Sequence, residues 1–208
     1  MPDWRCRVIP ARKAASHGSR FHDHAAVEDP LQPHDLPEPW LRLREDLVEL
    51  PNGRTTVYGV VSTGSCVGVL PFLDADTVVL VRQYRYVAGR HTWEMPTGGV
   101  GPGERIEDAT HRELAEESGY RAGQLEPVCA YHTSKSVMDE TAHLFLAFDL
   151  SRAEDAPEPD ETEVFQVRPH RFREVLGMVD AGEIVDSMTI IAVLQAERRR
   201  AVHRPPPP

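Results

Sequence analysis

The sequence is short of several things, and each shortage removes a class of protein. It holds only three cysteines, Cys6, Cys66 and Cys129, without the spacing of a metal site or a disulfide framework. An odd number without a pattern reads as free thiols in a reducing compartment. It has no apolar run long enough to cross a bilayer, and no apolar signal-peptide core at its N-terminus. The expected location is cytoplasmic, with no membrane partner. It has no basic excess, since the formal charge is −10. No nucleic-acid partner is expected, because such binders carry a basic face. It has no internal repeat. What remains is 208 residues with 40% hydrophobic and 27% charged content, the range of a globular chain long enough for one domain plus a small extension.

One stretch stands out, GGVGPGERIEDATHRELAEESGY at residues 98–120. It reads as a glycine-rich loop running into a helix from about Ile106. Residues three and four apart are neighbours on a helix, so Glu113, Glu116 and Glu117 fall on one arc. No lysine on that helix offsets them, and only His111 and Arg112 are near. A hard divalent cation turns such repulsion into binding, because Mg²⁺ takes carboxylate oxygens together with substrate phosphates and water. Glycines at 98, 99, 101 and 103 let the main chain turn tightly and approach a ligand closely. The third carboxylate of the arc, Glu117, is expected to face mainly solvent.

The rest of the chain divides by pattern. Residues 1–39 show no sustained periodicity and end in a proline-punctuated segment, so they read as an extension. Residues 40–50 and 55–61 read as strands joined at Pro51-Asn52-Gly53, a hairpin signal. Further strands are expected over 66–73, 77–84 and 92–95. Two more, over 126–132 and 141–150, are joined by a polar loop at 133–140. An acidic loop over 153–163 leads to a strand at 164–168. Helices are expected over 170–179 and 187–200, the latter capped by Asp186 or Ser187, with Ile190, Val193, Leu194 and Glu197 at helical spacing. Residues 203–208 read as a tail. The fold class is α+β.

The acidic stretch resembles the Nudix box: Gly, five residues, Glu, seven residues, Arg-Glu, an apolar residue, any residue, Glu-Glu, any residue, Gly and an apolar residue. Those positions are Gly98, Glu104, Arg112, Glu113, Leu114, Glu116, Glu117, Gly119 and Tyr120. The resemblance covers residues 57–194. It is nearest to the ADP-ribose pyrophosphatase group, through LVRQYRY at 80–86, WEMPTGG at 93–99 and GEIVDSMTIIAVL at 182–194. Many of that group carry a Ser-Pro-Gly type of turn after the box, where this chain has Ser134-Lys135-Ser136.

The resemblance implies an α/β/α sandwich with a mixed sheet over residues 63–202, preceded by a β-hairpin at 40–62 through which relatives commonly form homodimers. It implies Mg²⁺, with Mn²⁺ as a substitute, held by Glu113, Glu117, Glu116 and the Thr97 main chain. Arg112 and Glu104 are expected to orient those carboxylates. Arg82 and Arg85, at a strand end, are candidate phosphate contacts. Glu94 and Thr97 stand at the mouth of the site; Glu94, Gly98 and Gly99 are candidate substrate contacts, and Glu140 is a candidate contact to the sugar. The group's general base is a glutamate on a late acidic loop, which here selects Glu163, with Glu161 second. The implied reaction is hydrolysis of a nucleoside diphosphate linked to a sugar, ADP-ribose first. Alternatives are GDP-mannose or another nucleotide sugar, an oxidised nucleotide, or a module that senses ADP-ribose without cleaving it.

Overall fold

A computed structural model of the chain describes residues 7–8, 41–154 and 166–203. It divides into two compact units, residues 1–63 with 134–140, and residues 64–133 with 141–208.

The smaller unit is a β-hairpin with an added strand. Strands β2 (Arg42–Glu49) and β3 (Thr55–Ser62) pair antiparallel in unbroken register, and β1 (Arg7–Val8) pairs with the end of β2. Only β1 was absent from the pattern, because two residues carry no periodicity. The turn closes as its residues dictate: Gly53 has φ +77° and Arg54 N–H donates to the Asn52 side chain at 3.1 Å. The 134–140 segment joins this unit. Val61 N–H donates to Val137 O, Asp139 N–H donates to Val61 O, and Asp139 accepts from Ser62 and Arg44. Arg44 and Ser62 hold the Asp139 carboxyl below the usual range, the serine hydrogen bond contributing most. Leu43, Leu47 and Val57 share one face of the ladder, Leu47 opposite Val57, and are 44%, 44% and 58% exposed.

The larger unit is a sandwich. Among the described residues its strands are β4 (Ser65–Asp74), β5 (Thr77–Arg85), β6 (Arg90–Glu94), β7 (Thr97–Gly99), β8 (Tyr120–His132), β9 (Thr141–Arg152) and β10 (Gln166–Arg171). The order is β10-β5-β4-β9-β8, with β6 on β5 and β7 on β4. Only β4 and β9 run parallel, so the sheet is mixed. From Val67 to Phe72, β4 is buried on both faces, as a central strand should be. One face packs Leu70, Phe72, Val78, Leu80 and Leu144 against helices α2 (Phe172–Asp180) and α3 (Ser187–His203). The other packs Val69, Phe145 and Ala147 against Leu114 of helix α1 (Ile106–Ser118).

Several boundaries differ from the sequence expectation for identifiable reasons. Gly98 and Gly99 are not loop but strand, paired with Val67 and Cys66. The strand after the box begins at Tyr120 rather than 126, since Gly119 (φ +70°) ends α1 in the left-handed conformation and Tyr120 pairs at once with Arg152. His170 is strand, opposite Val78; the helix starts two residues later, where Glu174 accepts from Arg171 N–H. Asp186, not Ser187, caps α3, accepting from the Thr189 and Met188 amides. Leu194 faces outward, the buried row of α3 being Met188, Ala192, Val193 and Ala196. Of the acidic loop, residues 155–165 lie outside the described residues, as do most of 1–39 and 204–208.

Candidate active site

Helix α1 lies with its acidic arc against β7, and the contact is close. A Cβ on Gly98 would fall 2.0 Å from the Glu113 carboxylate, so any side chain there would have to displace that carboxylate. Thr97 N–H donates to Glu117 Oε2 at 3.0 Å. Glu117 is therefore 6% exposed and Glu113 9%, which corrects the expectation that Glu117 faces solvent: β7 covers it.

Arg112 sits among the carboxylates. Its Nε donates to Glu104 Oε1 at 2.9 Å and its Nη2 to Glu104 Oε2 at 3.1 Å. Nη1 donates to Glu113 at 2.7 Å and to Glu116 at 3.1 Å, and Nη2 also reaches Gly99 O at 2.9 Å. Glu104 is tied in turn to Gly101 N–H at 2.8 Å. Its pKa is lowered, first by the hydrogen bond from Arg112 and then by that amide. The Arg112 pKa is raised, Glu104 being the largest cause and outweighing the burial that opposes it.

The two candidate arginines part company. Side chains alternate along a strand, and Arg85 comes three positions after Arg82. Arg85 shares the α1 face: it donates to Glu94 through Nε and Nη2, and the hydrogen bond and charge of Glu94, with the charges of Glu117 and Asp186, raise its pKa although burial opposes this. Arg82 lies over Trp93 on the opposite face, with His170 edge-on to the same ring. Arg82 and Arg85 therefore lie on opposite faces of the sheet. Glu94 is corrected: it is buried and bonded to Arg85 and Thr92 rather than open at the mouth.

Glu140 belongs to the hairpin unit, where it accepts from Thr63 Oγ1 at 3.2 Å. Glu161 and Glu163 lie outside the described residues. Asp186 was expected only as a helix cap, and Thr189 had no expected role; their link to Met95 N–H (3.0 Å to Thr189 Oγ1) ties α3 to the turn before β7. The GEIVDSMT string carried that signal. A separate cavity of about 1080 Å³, lined by Phe72, Phe148, Arg199 and Arg200 among others, includes no residue of the box.

The donor set fits a hard divalent cation. Glu104, Glu113, Glu116 and Glu117 outnumber the one guanidinium among them, and carboxylate oxygens are what Mg²⁺ prefers. Among the described residues they do not form a preassembled three-donor cluster, because Glu113 and Glu116 are held by Arg112 and Glu117 by the Thr97 amide. Thr97 meets Glu117 through its N–H.

A family model described as NUDIX domain matches residues 63–187. The chain belongs to the Nudix family. A second model, Nucleoside diphosphate sugar hydrolase N-terminal domain, matches residues 36–61, the hairpin. Over 155 residues this Nudix chain is 35% identical to ADP-ribose pyrophosphatase of Bacillus subtilis (strain 168), covering 74% of this chain and 84% of that one. Over 162 residues it is 34% identical to the methanol dehydrogenase activator of Bacillus methanolicus, covering 78% and 88%. A crystal structure of an ADP compounds hydrolase superposes with a TM-score of 0.71 at 20% identity, covering 81% of this chain and 90% of that one. At that identity it shows the fold alone, and the fold is the Nudix sandwich.

A carboxylate whose folded pKa is depressed contributes stability above its unfolded pKa and loses it as pH falls through the folded value. Glu104→Gln should therefore lower urea stability at neutral pH and lower it by less at about pH 3, below the ordinary carboxylate range. Equal loss at both pH values would show that Glu104 acts by packing and not by its charge on Arg112.

Proposed function

We propose that this Nudix hydrolase cleaves the diphosphate of a nucleoside diphosphate linked to a sugar, ADP-ribose first, to AMP and ribose 5-phosphate. The observation that carries the reading is the buried carboxylate set of α1 facing the Arg85 side of the sheet, in a chain similar to an ADP-ribose pyrophosphatase across most of its length. An intact acidic set disfavours a module that only senses the ligand.

Glu113, Glu117 and Glu116 would hold Mg²⁺, or Mn²⁺ in its place, with the Thr97 main chain as a further ligand. When bound, the cation neutralises phosphoryl oxygens and activates water. Arg112, fixed by Glu104, orients Glu113 and Glu116. Gly98 and Gly99 let the main chain approach the substrate, and Arg85 takes a phosphoryl oxygen. Water adds to one phosphorus, the bridging P–O bond breaks, and the bridging oxygen leaves with the other phosphate. Glu163 accepts the water's proton. Glu140 is kept as a contact to the sugar. The reading keeps the chain in the cytoplasm.

A panel of ADP-ribose, GDP-mannose, other nucleotide sugars and oxidised nucleotides, assayed for phosphomonoester release with and without Mg²⁺, tests the reaction. ADP-ribose should lead, and Glu117→Gln should lower turnover by several orders of magnitude. Activity of that variant within about threefold of the parent would reject the metal assignment.

Glu163→Gln should lower kcat strongly and leave substrate and metal binding nearly unchanged, because the transition state loses more than the ground state. Its residual rate should rise with pH as hydroxide becomes more abundant. Glu161→Gln should be mild. A larger loss in Glu161→Gln would move the base by two residues.

The exposed Leu43, Leu47 and Val57 face suits a homodimer formed through the hairpin. Light scattering at micromolar concentration should give twice the chain mass, and the three residues changed together to Ser should give a monomer. A parent of single chain mass would reject the dimer.

A further inference from the structure

Glu94 has a geometry that no substrate contact requires. Its Oε2 accepts from Arg85 Nη2 at 2.6 Å and Nε at 3.0 Å, while Oε1 accepts from Arg85 Nε at 3.1 Å and from the Thr92 hydroxyl. Glu94 is 3% exposed and Thr92 2%. Both project from β6 on the face that carries Arg85, since Thr92 pairs with Gln83 and Glu94 with Val81 on β5. The Arg85 side chain is by contrast 43% exposed. Its bonds to Glu94 use Nε and Nη2, and Nη1 carries no hydrogen bond among the described residues.

We propose that Glu94, braced by Thr92, is a positioning residue that grips one edge of the Arg85 guanidinium so that the Nη1 side meets a phosphoryl oxygen of the substrate. The inference rests on the reading above, that the substrate carries a nucleoside diphosphate. Arginine is a long, rotamer-rich side chain, and a fork already held in place is not ordered at the substrate's expense. The carboxylate also brings a negative charge near an anionic ligand. If that charge were its main effect, neutralising it would tighten binding. If direction matters more, neutralising it weakens binding, because an amide cannot accept the fork with both atoms. The sign of the change separates the two.

The experiment measures KM and kcat for ADP-ribose, and calorimetric affinity for ADP, which needs no turnover. Glu94→Gln should raise KM and the ADP Kd about tenfold with kcat within about threefold of the parent. Thr92→Val should weaken ADP binding by about threefold, and Thr92→Ser, which keeps the hydroxyl, should match the parent. In an Arg85→Lys background, where no fork remains to be aimed, Glu94→Gln should change ADP affinity by less than about twofold. Tighter or unchanged ADP binding by Glu94→Gln overturns the proposal, as does an equal loss in the Arg85→Lys background. Should Glu94→Gln fail to fold, Thr92→Val with parental affinity overturns it. A parent that cleaves no ADP-ribose yet binds ADP in a manner sensitive to Glu94→Gln refutes the substrate reading and leaves the positioning role; an active parent whose ADP affinity ignores Glu94→Gln does the reverse. A parent that binds no ADP overturns the positioning role.

Discussion

The site depends on holding three carboxylates around one guanidinium without letting them part. Two like charges about 4 Å apart repel by about 4 kcal/mol at an effective dielectric near 20, so Glu104, Glu113 and Glu116 need a shared cation in the resting chain. Arg112 meets all three and also the Gly99 carbonyl, using the planar array of donors that lysine lacks. Glu104 is the part of this group turned back toward the loop, where the Gly101 amide secures it. The three helix carboxylates then face β7, and the absence of a side chain at Gly98 lets the strand close over Glu113.

From that contact outward, the sheet sorts side chains by parity. Successive residues of β5 serve different layers, so Arg85 joins the acidic face of α1 while Arg82 joins Trp93 and His170 on the face of α2 and α3. Sequence proximity made these arginines look like a pair. A separation of three is helical spacing, and in a strand it divides them. The same sorting places Thr92 and Glu94 beside Arg85, so that a residue expected at the mouth becomes part of the support beneath it.

The smaller unit shows the opposite balance. Its turn, register and strand bounds follow from local chemistry, the Asn52-Gly53 turn and the alternation on either side. Its association with residues 134–140 combines the main-chain bonds of Val61 with the Asp139 carboxylate, which accepts from Arg44 and Ser62. No local pattern announces that pairing, since the partners are separated by more than seventy positions in the chain.

Most of the fold and the acidic face of the site were legible in the sequence because they rest on short-range rules. Helical spacing put Glu113, Glu116 and Glu117 on one arc, alternation and turn residues marked the strands, and the spaced box positions matched a family with a known architecture. Boundaries at Tyr120 and His170 were missed because strand pairing with Arg152 and Val78, not local propensity, extends those elements. Tertiary structure alone decided that Glu117 is covered, that Gly98 lies against the Glu113 carboxylate, that Arg82 and Arg85 take opposite faces and that Glu94 grips Arg85. Each of these is a distance between residues on different elements. Residue type and spacing set what a side chain can do, and only the packing of helix on strand sets which neighbour it does it with.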